Sequence, residues 1–124
     1  MIFHLLPLCA RQLQLSKAPL VVVVAPLLSL VEDQVVKVNK TTGLGKAVQL
    51  KQGAVYEKLR EDEEIAFMFT SPEALLNSED SKKLLLCDDF VERVVALVVD
   101  EAHCIAKWLV VISYWHHACY YLCL

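Results

Sequence analysis

Three stretches of the chain are apolar from end to end: residues 21–25 (Val-Val-Val-Val-Ala), residues 65–69 (Ile-Ala-Phe-Met-Phe) and Val94–Val99 (Val-Val-Ala-Leu-Val-Val). A strand with one wet face alternates apolar and polar residues. These runs do not alternate, so they read as strands covered on both faces, as in parallel sheets packed between helices. The segments between them read as helices. Ser29-Leu30-Val31-Glu32 fits a capping box, with Ser29 bonding an early helix N–H and Glu32 reaching back. Leu27, Leu28, Val31, Val35 and Val38 then mark one face of a helix ending near Asn39.

The rest of the chain fits the same alternation. Ile2, Leu5, Leu6, Cys9 and Leu13 give a helix-like apolar face, which Pro7 either kinks or begins. Gly43 and Gly45 turn the chain into a short strand over residues 46–50. Gly43-x-Gly45-Lys46 is not a phosphate loop: that motif needs four residues between its glycines and Ser or Thr after the Lys, where Ala47 stands here. Residues 55–62 form a charged helix, with Lys58 and Asp62, and Glu57 and Arg60, spaced as solvated surface pairs. Ser71 caps a helix that has Pro72 in its first turn. Leu84, Leu85, Leu86, Phe90 and Val91 pack helices under the last strand, and Asp88 and Asp89 cap the second of them. The order predicts an α/β fold: a three-layer sandwich with a mostly parallel sheet.

Composition sets outer limits. The chain has 124 residues, enough for one domain or less, and 56% hydrophobic against 22% charged content excludes disorder. A net charge of −3 leaves no global basic footprint, so any nucleic-acid contact must be local. Five cysteines without CxxC spacing suit a reducing compartment. Residues 1–10 lack the charged start of a signal peptide and contain Pro7. Residues 108–124 carry no formal charge, but Ser113, His116, His117 and three tyrosines suit a lipid core poorly, so no membrane span is expected.

Chemistry concentrates after the last apolar run. Asp100 and Glu101 stand where that strand ends. In open α/β sheets ligands bind in the crevice outside the carboxyl ends of the strands. An acidic pair in that place is costly unless a cation or substrate uses it.

Asp100-Glu101-Ala102-His103 resembles the DEAH form of the Walker B motif of superfamily two helicases. Its extension, Cys104-Ile105-Ala106-Lys107-Trp108, resembles the version in the RecQ family, where DEAH runs into Cys-Ile-Ser-x-Trp. Ala25-Pro26-Leu27-Leu28-Ser29-Leu30-Val31-Glu32-Asp33-Gln34-Val35 resembles that family's motif Ia. Thr70-Ser71-Pro72-Glu73-Ala74-Leu75-Leu76 resembles its Ser-Pro-Glu motif. Residues 1–108 therefore look like a partial helicase ATP-binding domain, a truncated RecA-like (P-loop NTPase) unit. Residues 109–124 read as a divergent apolar tail, since the family's Gly-His-Asp-Phe-Arg-Pro loop is replaced by Leu109-Val110-Val111-Ile112-Ser113-Tyr114-Trp115. His116, His117, Cys119 and Cys123 lack the partner knuckle that a zinc site requires.

The resemblance implies an ATP-dependent 3′-to-5′ DNA helicase with ATP and Mg²⁺ as cofactors. Asp100 would hold Mg²⁺ through water, Glu101 would sit beside the metal and activate the attacking water, and His103 would couple nucleotide state to DNA contact. Pro26, Leu27, Ser29, Thr70 and Ser71 would grip the backbone of single-stranded DNA or of a junction. The implied partners are that DNA and a second RecA-like domain; the implied compartment is the nucleus, with the cytoplasm open to a fragment. No Gly-x₄-Gly-Lys-Ser/Thr loop occurs in the 124 residues, so no cofactor-binding residues are assigned. The chain alone is expected to be inactive, and nucleotide binding by it alone is not expected. The alternative is a non-catalytic remnant that binds single-stranded DNA or a helicase partner weakly.

Overall fold

Val21 and Val23 lie in one apolar layer with Val31 and Val38, while Leu20, Val22 and Val24 lie in another with Leu75, Leu84 and Phe90. Successive strand residues point to opposite faces, so this first strand is roofed on both sides and has no exposed residue. The computed structural model describes residues 2–26, 28–41, 43–50, 59, 61–76, 79–100 and 120–123.

A 3₁₀ turn, Ile2–Leu5, leads into helix α1, Leu6–Gln12, in which Pro7 stands in the first turn. Proline is tolerated there because its missing N–H would have no intrahelical partner. Strand β1 (Leu20–Val24) is followed by α2 (Leu28–Lys40) and β2 (Lys46–Gln49). Strand β3 (Ile65–Thr70) is followed by three short helices: α3 (Pro72–Leu76), α4 (Glu79–Leu85) and α5 (Asp88–Arg93). Strands β4 (Val94–Val99) and β5 (Tyr120–Cys123) complete the described elements.

The five strands form one sheet in the order β2-β3-β1-β4-β5, and every pair is parallel. This is the expected α/β sandwich. The β1–α2–β2 crossover runs one way along the sheet, with Val31 and Val38 of α2 over one face. The β3–β4 crossover runs the other way, with Leu75, Leu84, Leu85 and Phe90 under the opposite face. Reversing both direction and face keeps one hand, as parallel crossovers require.

Several expectations are corrected. The buried residues of α1 are Pro7 and Ala10, whereas Leu5 and Leu13 are 54% and 70% exposed and Cys9 is exposed. Helix α2 begins at Leu28, so Ser29 lies inside its first turn and is not the cap residue. Cys87 occupies the cap position of α5, and Asp88 and Asp89 form its acidic first turn. Asp62 pairs with Lys46 at 2.9 Å and lies past the helical residues Leu59 and Glu61; Glu57, Lys58 and Arg60 fall outside the described residues. Strand β5 lies within residues 109–124 and pairs with β4, last in the sheet order.

Two of the strand pairings, β2–β3 and β1–β4, contain an irregularity. Lys46 pairs with Ile65 but Ala47 with Phe67, which leaves Ala66 as an extra residue in β3. Leu20 pairs with Val94 but Val21 with Ala96, which leaves Val95 extra in β4. Each bulge resets which face the residues after it address.

Candidate functional site

The carboxyl ends of β1, β3 and β4 meet along one rim. The Asp100 N–H donates to the Val24 carbonyl at 2.9 Å, and the Ala25 N–H donates to the Thr70 carbonyl at 3.0 Å. These two bonds carry the ladder one residue beyond the strands and put Asp100, Ala25 and Thr70 in adjacent positions. The chain leaves β1 for the α2 face and leaves β3 for the opposite face. Adjacent strands whose continuations part in this way open a crevice between them, which is where ligands bind in open α/β sheets.

Asp100 is half-buried at that rim. Glu101 and His103, expected beside it, lie outside the described residues, as do Leu27, His116, His117 and Cys119. Pro26 is exposed in the bend after β1, and Ser29 is exposed on the first turn of α2. These two residues stand open to a ligand approaching the rim. A carboxylate with hard oxygen donors in this place suits Mg²⁺. Among the described residues no group of three or more His, Cys, Asp or Glu side chains converges on a metal position.

Thr70 and Ser71 are buried, at 0% and 6% exposure. The Ala74 N–H donates to Ser71 Oγ at 3.1 Å, and the Leu75 N–H donates to the Ser71 carbonyl at 3.1 Å. Ser71 thus satisfies amides of α3 that a helix start otherwise leaves open. The Thr70 hydroxyl donates to the Ser71 carbonyl at 3.1 Å. Ser81, fully buried, donates to the Ala74 carbonyl at 2.9 Å and ties α4 to α3. The Thr-Ser-Pro-Glu stretch is therefore a braced turn at the rim.

The glycine turn before β2 lies at the opposite, amino edge. Gly43 and Gly45 have φ of +88° and +96°, a region L side chains avoid. Lys46 Nζ bonds Asp62 Oδ2 at 2.9 Å, which raises the Lys46 pKa and lowers that of Asp62. This lysine serves an ion pair far from the rim, as a turn and not a phosphate loop requires.

Two polar residues were not legible as structural anchors. Asn39 accepts from the Ala47 N–H at 2.8 Å and donates Nδ2 to the Ala47 carbonyl at 3.0 Å. Arg93 donates Nε to the Ala18 carbonyl at 3.0 Å, and its two terminal nitrogens to the Leu59 and Ile65 carbonyls at 2.9 Å each. Their partners are 8 to 75 residues away in sequence, so no local pattern marks them.

A parallel sheet between helix layers, with an acid at the carboxyl rim beside a braced Thr-Ser turn, defines a RecA-like domain of the helicase type. The model of the DEAD/DEAH box helicase family matches residues 2–119, and the chain belongs to that family. The match passes Trp108, where the motif resemblance stops. The fold is similar to the DUF1998 helicase MrfA in its crystal structure bound to DNA and AMPPNP, with a TM-score of 0.60 and 16% identity. That likeness covers 93% of this chain and 18% of the MrfA chain, so the chain spans less than a fifth of the helicase it resembles. None of the helices among the described residues is long and apolar enough to cross a membrane.

Proposed function

We propose that these 124 residues are part of the first RecA-like domain of an ATP-dependent DNA helicase of the RecQ type, one that moves 3′ to 5′ on a single strand. The observation that supports this most is the bond from the Asp100 N–H to the Val24 carbonyl. It sets the DEAH aspartate on the rim that Pro26 and Ser71 share. Within that domain, Asp100 would help hold Mg²⁺, Glu101 would orient the attacking water, and His103 would link the nucleotide side to the nucleic-acid side. Magnesium supplies charge neutralisation for the transferring phosphoryl group.

Pro26, Leu27 and Ser29 take the sugar–phosphate backbone of single-stranded DNA, which makes binding independent of sequence. Thr70 and Ser71, with their hydroxyls turned into the α3 start, shape the other wall of the crevice and contact the strand through the braced turn. Phosphoryl transfer depends on preorganised clamping of the phosphates. The 124 residues contain no such loop, so on this reading the isolated chain is expected not to turn over ATP at a useful rate.

The test pairs anisotropy titrations of labelled single-stranded oligonucleotides of unrelated sequence with phosphate-release assays on the purified chain. The expected result is weak binding, alike for all sequences, that falls with added salt and weakens further in Ser29→Glu. No DNA-stimulated phosphate release is expected. Absence of binding would refute the strand-gripping rim, and DNA-stimulated release abolished by Glu101→Gln would refute the inactive state of the isolated chain.

A further inference from the structure

Strand β4, and β3 up to Thr70, are apolar on both faces, and this creates a problem of register. Where one face is wet, a slip of one residue drives apolar side chains into water and the pattern itself fixes the pairing. In β4, Val-Val-Ala-Leu-Val-Val, a slip exchanges one apolar residue for another. The sequence of the strand therefore does not select its own alignment with β1, Leu-Val-Val-Val-Val.

Something outside the strands must select it, and the amino edge of the sheet holds a group able to do so. Arg93 is the last residue of α5 and directly precedes β4. Its guanidinium bonds the carbonyls of Ala18, Leu59 and Ile65, all of them buried residues. Ala18 leads into β1, and Ile65 opens β3. The guanidinium is planar and its donors form a rigid fork, so three carbonyls on three segments fix its position closely. Partial burial lowers its pKa, against the opposing charges of Glu63 and Asp62, without discharging it at neutral pH.

The two bulges lie against this clamp. The extra residue of β4, Val95, is two positions after Arg93, and the extra residue of β3, Ala66, directly follows the bonded Ile65. Before each bulge a residue faces one layer (Val94, Ile65). After it the alternation resumes with Ala96 and Phe67 on the other. The phase of both strands is thus set within two residues of the guanidinium.

We propose that Arg93 is a positioning residue: by holding the starts of β1, β3 and β4 together it selects the strand register that delivers Asp100 to Val24 at the far rim. The register role stands on the fold alone. Only its consequence for the Asp100 carboxylate rests on the helicase reading.

The test is NMR of the whole chain, without nucleotide or DNA, in Arg93→Lys and Arg93→Met, reading cross-strand contacts and amide exchange. The native register predicts contacts between Val23 and Val98 and between Val24 and Val99. In Arg93→Met a second set of strand signals with shifted contacts is expected. The Asp100 amide should also exchange on the order of tenfold faster than the interior amides of β1. Arg93→Lys, which can still reach some of the carbonyls, should retain more of the native set. Native contacts alone, with exchange accelerated uniformly, would show a purely stabilising residue and overturn the proposal. If Arg93→Met does not fold, Arg93→Lys supplies the reading, and failure of both variants to fold would also overturn a role specific to register. Because no ligand enters the experiment, its failure is distinct from that of the helicase reading.

Discussion

Replacing Gly45 by Ala should unsettle the sheet far more than the same change two residues earlier, and the structure says by how much. Gly43 and Gly45 share a positive φ, at +88° and +96°. An L residue in left-handed backbone costs about 1–2 kcal/mol, which both substitutions incur. They differ in their surroundings. A Cβ on Gly43 meets nothing within 4 Å, whereas one on Gly45 would lie 2.6 Å from Ala66 Cβ. Ala66 is the bulged residue of β3, buried at 2% exposure, and its neighbours Ile65 and Phe67 are both paired with β2. Forcing a methyl group into such a place adds about 1–3 kcal/mol. Gly43→Ala should therefore lose about 1–2 kcal/mol by urea unfolding followed by circular dichroism, and Gly45→Ala roughly 2–5. The sharper check is Ala66→Gly, which removes the methyl group that Gly45→Ala would strike. Combined, the two changes should be less harmful than their sum by about 1–3 kcal/mol. Equal losses at Gly43 and Gly45, or strict additivity of Gly45→Ala with Ala66→Gly, would refute the contact.

Asn39→Leu should lower stability by about 1–3 kcal/mol, because it strands both polar groups of Ala47, a residue at 3% exposure. Asn39→Asp keeps the acceptor and loses the donor, so it should fall between the two, again by urea unfolding. Acid should weaken the fold through His4. Burial first, then the positive amino terminus and Lys37, hold its imidazole below the ordinary 6.5. The folded chain then binds fewer protons than the unfolded one, so stability falls as pH drops from 6.5 toward the folded value and levels off below it. His4→Phe should flatten that part of a plot of urea midpoint against pH and keep the edge-on ring contact with Phe67, 5.7 Å between centroids.

The buried strands were legible because their chemistry is repetitive. Residues 21–25 and 94–99 have no polar position to offer water, and only a sheet covered on both sides accepts them. Asp100 was legible for the converse reason, as an acid placed where such a strand must stop. The buried side of α1 was not: Leu5, Leu8, Leu13 and Leu15 are as apolar as the core but 38–70% exposed. Periodicity could not tell them from Pro7 and Ala10, since burial there depends on which side Phe67 and the sheet present. Strand β5 escaped notice because Tyr-Tyr-Leu-Cys is short and owes its strand state to β4, more than twenty residues upstream. The cap role of Ser71 could be read locally, from Pro72 next to it. The true start of α2 could not be, because Leu28 precedes the residue whose side chain signals a cap. Arg93 and Asn39 act over long separations, and nothing beside them in sequence announces a partner.

Asn39 gives the sheet a stop. Lys46 and Leu50 turn their N–H groups inward to Glu64 and Phe69, so Ala47 between them looks outward. There the Asn39 amide stands in for the peptide of an absent neighbour. A further strand arriving on that flank would have to evict it. Among the described residues, pairing of a further strand at Ala47 is thereby blocked. The side chain of a single helix residue thus closes that position of the layer's β2 flank.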